Sequence, residues 1–264
     1  MSDVSAAESP AVSGEAARPP ECAPLRPWLF WGTTLWAGIA AMAWLASQFA
    51  IAFAFLLYWD VDPDLMDFEQ FTSHAGLIAA VAIGSTPIVL GVIALAVRVA
   101  RWPMMEYLAL VLPARRDAVL GLIVLAVLLP AMDLATYLSG RELIPGFMLR
   151  AYATALETGM LPLLIIALVV AAPVGEEIVF RGFIFRGWAA SPLGPVITIV
   201  VTAALWASMH TQYEWFLVAQ IFCAGLALGW LRWLSGSTLL TIGLHAIINA
   251  VALAQTAATV HGLF

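Results

Sequence analysis

The chain has 264 residues, of which 63% are hydrophobic and 11% are charged, and its formal net charge is −6. Soluble domains contain about 45–50% apolar and about 25% charged residues, so this composition excludes a soluble fold and requires lipid as the solvent for most of the chain. The negative charge lies largely in the N-terminal region and in the acidic loop after the first apolar stretch. It gives no reason to expect a nucleic-acid partner.

Apolar stretches near the ~20-residue length of a membrane-spanning helix recur along the chain. We therefore predict an all-α, polytopic membrane helix bundle of seven or eight helices. Residues 1–25 are rich in Ala, Ser, Pro and Glu, and we predict that they form a disordered N-terminal tail. Residues 26–150 are predicted to hold the N-terminal transmembrane helices. The predicted spans are 28–58, 74–97, 118–138, 151–172, 193–209, 215–234 and 238–258.

A further predicted helix, 174–188, follows Pro173. Proline removes a backbone donor, and it either kinks a helix or begins one. The sequence therefore leaves open whether this helix continues the fourth span or stands alone. The apolar segment 104–112, between Pro103 and Pro113, is predicted to lie at the membrane interface.

The placement of arginines predicts the orientation of the bundle. With the N-terminus inside, most arginines are cytoplasmic and the acidic first loop is outside, in agreement with the positive-inside rule. The cytoplasmic set is Arg18, Arg26, Arg98, Arg101, Arg115, Arg116, Arg186 and Arg232. The outer set is Arg141 and Arg150, with Asp60, Asp62, Asp64, Asp67 and Glu69 in the first loop. All 11 basic residues are arginine, which indicates genomic composition bias, and we expect a multi-pass protein of a bacterial inner membrane.

Two adjacent carboxylates, Glu176 and Glu177, stand in an otherwise apolar segment. Ionisable groups there are expensive and usually mark a site of chemistry or transport. Glu177 and Arg181 are four residues apart and share a helix face, whereas Glu176 points about 100° away. We therefore predict that Arg181 holds Glu177 while Glu176 faces a cavity. The alternative is a structural ion-pair network at a helix end.

Two histidines and an amide complete the set of candidate residues. His245 and Asn249 are four residues apart on one apolar helix; an imidazole can orient water or act as an acid, and an amide can donate to an oxyanion. The alternative is an interhelical pair that only stabilises packing. His210 stands at the apparent end of a span, where structural histidines are also common. No His-Glu-x-x-His pair is present, so we expect no metal or other cofactor, with zinc as an alternative.

The depth of His210 presents a geometric difficulty. If the span 193–209 begins at the inner face, His210 lies near the outer face, while Glu176 and His245 lie in the inner half. These residues meet if helices tilt or if the span continues past His210. We expect the second arrangement.

In this order, Glu176-Glu177-x-x-x-Arg181, His210 and His245-x-x-x-Asn249 resemble the CPBP family of CAAX proteases and bacteriocin-processing enzymes, also called the Abi family. The resemblance covers about residues 156–258, so residues 151–264 are predicted to form a CAAX-protease-like catalytic transmembrane region. Trp206 departs from the family pattern, which often has Phe four residues before the histidine. Because both residues are aromatic, we expect this change to affect packing more than chemistry.

The resemblance implies a glutamic-type intramembrane endopeptidase. Glu176 would activate water, His210 would position it, and His245 and Asn249 would stabilise the oxyanion. The supporting residues would be Glu177 and Arg181. The expected partners are the lipid bilayer and a membrane-associated peptide or protein that is cut near its C-terminal or membrane-proximal end.

Two other functions stay open at this stage. One is a non-catalytic membrane immunity or scaffold protein, and the other is a small proton-coupled transporter. A binding protein would not need the full set of polar residues, and the chain lacks the internal repeat that is typical of many transporters.

Overall fold

The computed structural model describes residues 27–58 and 67–263. The predicted N-terminal tail and the loop residues Asp60, Asp62 and Asp64 lie outside the described residues. Within the described ranges the secondary structure is helical, with six helices long and apolar enough to cross a membrane and one shorter apolar helix. This confirms the predicted all-α polytopic bundle.

The helices of the described ranges are numbered here in chain order. They are α1 (Leu29–Tyr58), α2 (Phe68–Thr72), α3 (Ala75–Val99), α4 (Met104–Tyr107), α5 (Arg115–Leu138), α6 (Gly146–Glu157), α7 (Leu161–Ala189), α8 (Gly194–Ser208), α9 (Trp215–Ser235) and α10 (Thr238–Val260).

The fourth span begins later than the sequence predicts. Helix α6 ends at Glu157 and α7 begins at Leu161. Between them Gly159 has a φ of +68°, a left-handed conformation that favours glycine and commonly ends a helix. The predicted span 151–172 is therefore wrong. The predicted helix 174–188 is the second half of α7.

Pro173 lies inside α7 without ending it. Two stretches of this helix, Ile166–Ala171 and Ile178–Ile184, are wound as π-helix, and the first lies just before the proline. Proline has no N–H to donate to the carbonyls that precede it by four or five residues. The backbone hydrogen bonds nearby therefore change from the α-helical to the π-helical pattern, as they do in π-bulges. The result is one continuous helix that carries both glutamates near its middle.

Helix α8 has only 15 residues, so at 1.5 Å per residue it rises about 22 Å, less than the ~30 Å hydrocarbon core. It ends at Ser208, so the expectation that this span continues past His210 is wrong. The backbone N–H groups of Met209 and His210 bond to carbonyls three residues earlier, a tightening that is typical of helix ends. Because α8 is shorter than the hydrocarbon core, His210 at its end need not lie at the outer face. The short helix therefore offers a different explanation of how His210 can lie at the depth of Glu176 and His245.

The core is built around the second half of α7. Phe183 is fully buried, and its ring stacks on that of Tyr107 with 5.6 Å between centroids. Tyr107 and Leu108 are buried in the bundle, whereas Val111 and Leu112 are exposed. Only part of the segment 104–112 is therefore free to lie at an interface.

We predict that Gly187→Ala destabilises the bundle. An added Cβ would lie 1.8 Å from Thr33 Oγ1 of α1, so α1 would have to move away from α7, at a cost of about 1–3 kcal/mol. The measurement is the melting temperature in detergent, followed by circular dichroism. Gly243→Ala in α10 is the control, because nothing lies within 4 Å of its added Cβ and alanine favours helix. Equal melting temperatures for the two variants would contradict this packing.

Candidate active site

Three buried ionisable side chains meet between α7 and α10. Glu177 Oε1 accepts a hydrogen bond from Arg181 Nη1 at 2.8 Å and lies 3.0 Å from His245 Nδ1. The exposed fraction is 0% for Glu177, 1% for Arg181 and 3% for His245. Charges at such a position require partners and hydrogen bonds, and the predicted contact between Glu177 and Arg181 supplies one of them.

Arg181 has two further contacts. Its Nη2 donates to the carbonyl oxygen of Gly225 on α9 at 3.1 Å, and its guanidinium lies 4.8 Å from the centre of the Trp206 ring, a cation–π geometry. An added Cβ on Gly225 would lie 3.0 Å from Ala203 Cβ and 3.1 Å from Trp206 Cε3. Glycine at this position therefore allows α9 to approach α8 closely enough to present its carbonyl to the arginine.

A second buried arginine, Arg232 of α9, was not predicted as part of this region. Its Nε donates to the carbonyl of Arg181 and to Thr238 Oγ1, both at 3.0 Å. Thr238 Oγ1 in turn donates to the carbonyl of Leu108 at 2.6 Å. The positive-inside rule counts Arg232 as one of the cytoplasmic arginines and does not reveal this role. Its apolar neighbours in the sequence were a signal for it.

Glu176 has different neighbours from Glu177. Its Oε2 accepts a hydrogen bond from Trp206 Nε1 at 2.5 Å and lies 4.0 Å from His245 Nε2. Its side chain is 26% exposed, whereas that of Glu177 is fully buried. The two carboxylates thus have separate partners, as the helix geometry predicts. His245 lies between them, with one ring nitrogen towards each.

His210 contacts this cluster through Trp206. Its Nδ1 lies 3.0 Å from the Trp206 carbonyl; because a carbonyl can only accept, Nδ1 carries the proton and Nε2 is the acceptor nitrogen. The Trp206 ring is nearly perpendicular to the rings of His210 and His245, at centroid separations of 5.2 and 5.1 Å. His210 and His245 thus contact the same indole ring. The expectation that Trp206 affects packing more than chemistry needs correction, because its indole N–H bonds to Glu176.

Asn249 lies one turn beyond His245, as the spacing predicts, but its amide has a backbone partner. Nδ2 donates to the carbonyl of Leu168 at 2.7 Å. In the π-helical register that carbonyl would accept from residue 173, which is a proline without an N–H. Asn249 thus satisfies a backbone acceptor that Pro173 leaves open, and it holds α10 against α7. The sequence contains both Asn249 and Pro173, but it does not show that they lie close together.

Among the described residues, no group of three or more histidine, cysteine, aspartate or glutamate side chains is arranged to hold a metal ion.

A cavity of about 320 Å³ lies at the end of the bundle that carries Arg141 and Arg150. Its lining includes Tyr213, whose ring stacks on His210 with 6.3 Å between centroids and an interplanar angle of 14°. Burial raises the pKa of Tyr213 to about 12, and a hydrogen bond with Gln212 partly offsets this effect. The phenol is therefore neutral at ordinary pH, and its ring borders both the cavity and His210.

Residues 158–251 match the family model described as type II CAAX prenyl endopeptidase Rce1-like. We call residues 158–251 the Rce1-like segment, after the family model that they match. The match confirms the resemblance that the motifs indicated, and it supports activity as an intramembrane protease in general terms. The Rce1-like segment begins where α6 ends, so α1 to α6 precede it, and it includes every candidate residue from Glu176 to Asn249. Comparisons with curated proteins and with solved structures gave no match.

Within the Rce1-like segment, we predict that Arg181→Met destabilises the fold far more than Glu176→Gln. The first change leaves the fully buried Glu177 without its cation, at a cost of about 3–5 kcal/mol. The second keeps the side-chain shape and an oxygen that can accept from Trp206. Thermal unfolding of both variants in one detergent is the measurement. If the two variants melted at the same temperature, the ion pair would not be a main support of the fold.

Proposed function

We propose that the chain is an intramembrane endopeptidase in which Glu176 activates a water molecule that attacks a peptide bond. The observation that carries this proposal is the separation of 4.0 Å between Glu176 Oε2 and His245 Nε2. It is too long for a direct hydrogen bond, yet one water molecule can contact both groups. Glu176 is also the more accessible of the two glutamates, as a general base must be.

The proposal requires His245 to carry a proton on each ring nitrogen, and a carboxylate faces each of them, Glu177 at Nδ1 and Glu176 at Nε2. With Nδ1–H donated to Glu177, the Nε2–H of the imidazolium points towards Glu176 and can donate to an oxyanion.

In the proposed reaction Glu176 takes a proton from water while the water oxygen bonds to the carbonyl carbon of the substrate. His245 and the second N–H of Asn249, whose first N–H bonds to Leu168, stabilise the oxyanion. Glu176 then passes its proton to the amide nitrogen as the C–N bond breaks. His210, with Nε2 as an acceptor, positions the water.

The proposed substrate is a membrane-associated peptide or protein that is cut near its C-terminal or membrane-proximal end. The candidate residues belong to a bundle with six helices long and apolar enough to cross a membrane, so a substrate anchored in the same bilayer would reach them without leaving the lipid. In the bacterial inner membrane, which we propose as the location, candidates are peptide precursors and proteins with C-terminal sorting tails. A scaffold protein or a transporter with the same fold would not alter the termini of other membrane proteins.

We predict that Glu176→Gln abolishes processing while it preserves the fold. Loss of a general base typically lowers the rate by about 10²- to 10⁴-fold. The measurement compares membrane-protein C-termini by mass spectrometry in cells with the gene, without it, and with each variant. Glu157→Gln is the control, because Glu157 is an exposed residue at the end of α6, and it should restore all termini. Termini that Glu176→Gln also restores would rule out the hydrolase.

The site is proposed to open towards the side that carries Arg141 and Arg150, which the positive-inside rule places outside. Helix α8 is shorter than a full span, and the cavity lining includes Gln212, Tyr213 and Glu214 from the segment that follows it. Non-helical backbone at membrane depth occurs where it is buried in protein or lines a water-filled cavity. The cavity therefore gives water and the polar flank of a substrate a path from this side to His210.

We predict that a cysteine in this cavity reacts with a reagent added outside the cell. In a background with serine at positions 22 and 223, a membrane-impermeant maleimide should label Gln212→Cys in intact spheroplasts and slow processing, because the adduct fills the cavity. Arg115→Cys, exposed at the opposite end of the bundle, is the control and should react only after permeabilisation. The reverse labelling pattern would show that the cavity opens to the cytoplasm.

A further inference from the structure

The indole of Trp206 contacts four ionisable side chains of the candidate site. Its N–H donates to Glu176, its face lies under Arg181, and its plane is nearly perpendicular to the rings of His210 and His245. It is 3% exposed. We propose that Trp206 is a positioning residue that orients the Glu176 carboxylate, an inference that rests on the proposed function of that carboxylate.

The indole N–H suits this role because it donates a hydrogen bond and accepts none. It therefore cannot compete with Glu176 for the proton of the attacking water. It occupies one acceptor position of Oε2 and leaves the others for water. Without it, the carboxylate could rotate about its last side-chain bond, which is a soft torsion, and lose its alignment with His245 Nε2 at 4.0 Å.

The position of the ring is itself fixed by the site. Trp206 lies in the last turn of α8, and its own carbonyl bonds to His210 Nδ1. The cation of Arg181 on its face and the close approach of Gly225 to Cε3 restrict the ring from two sides. A donor held in this way needs no reorganisation when Glu176 reacts. Phenylalanine at position 206 would keep the ring contacts and lack the donor.

Trp206→Phe tests the role of the N–H group. We expect kcat for an internally quenched peptide with an apolar C-terminal tail, measured in proteoliposomes, to fall about tenfold with KM nearly unchanged, since a hydrogen bond to a charged group is lost. The acidic limb of the pH–rate profile should move to higher pH, because a hydrogen bond to the charged form of a carboxylate favours that form. Packing alone would not move this limb.

Trp188→Phe is the matched control. Trp188 is also buried, at 7% exposure, and its Nε1 donates to Thr34 Oγ1 at 3.1 Å, away from Glu176. This variant loses an indole hydrogen bond in the core but should keep kcat and the pH profile. The proposal is overturned if Trp206→Phe keeps both properties, or if the two variants lose activity in parallel with stability and neither moves the acidic limb.

A second substitution and a second measurement separate this inference from the proposed function. If Trp206→Phe does not fold, 3-benzothienylalanine at position 206 replaces only the N–H by sulfur and is tested in the same way. The indole ¹H–¹⁵N resonance of Trp206 in detergent should shift when Glu176 is replaced by Gln, while that of Trp188 should not. A parent protein without cleavage would reject the proposed function. An indole resonance unaffected by Glu176→Gln would reject the contact.

Discussion

The buried pair of Glu177 and Arg181 is the interaction on which the arrangement of the Rce1-like segment depends. Each charge costs several kcal/mol to remove from water, so neither is tolerated unless partners surround both. Those partners come from other helices: His245 from α10, the Gly225 carbonyl from α9 and the Trp206 ring from α8. Satisfying one ion pair therefore fixes four helices relative to one another. It also determines which way Glu176, the next residue, must face.

A second constraint comes from Pro173 in the middle of α7. Proline in a helix interior costs about 3 kcal/mol or more in a regular helix because it removes a hydrogen bond and clashes with the preceding turn. Here the preceding turn is π-helical, and the Leu168 carbonyl accepts from Asn249. A locally unfavourable residue, here a proline inside a helix, whose cost is offset by a side chain from another helix is typical of a functional region. The compensation positions the Asn249 amide beside the same helix that carries the glutamates.

Local spacing predicted the side-chain contacts of the two glutamates better than it predicted the boundaries of the helices. The all-α bundle follows from composition, and the pairing of Glu177 with Arg181 follows from their separation of four residues. The break at Gly159 escaped prediction because a single left-handed residue does not interrupt hydrophobicity. The predicted span 193–209 matches α8 to within one residue at each end, but its expected continuation past His210 was wrong, because the helix ends through hydrogen bonds to carbonyls three residues earlier.

The contacts of Trp206 and Asn249 could not be predicted for a different reason. Both side chains bond to atoms of α7, and which atoms they reach depends on the π-helical stretches of α7 and on the close approach of Gly225 to α8. The π-helical winding of α7 and the approach of Gly225 to α8 both depend on contacts between helices, so neither can be predicted from one segment of the sequence. In contrast, the separate partners of the adjacent glutamates follow from one angle, because neighbours on a helix point about 100° apart. Glu177 can contact both Arg181 and His245 Nδ1 only if Glu176 faces elsewhere, and Glu176 lies on the side where His245 presents its second nitrogen.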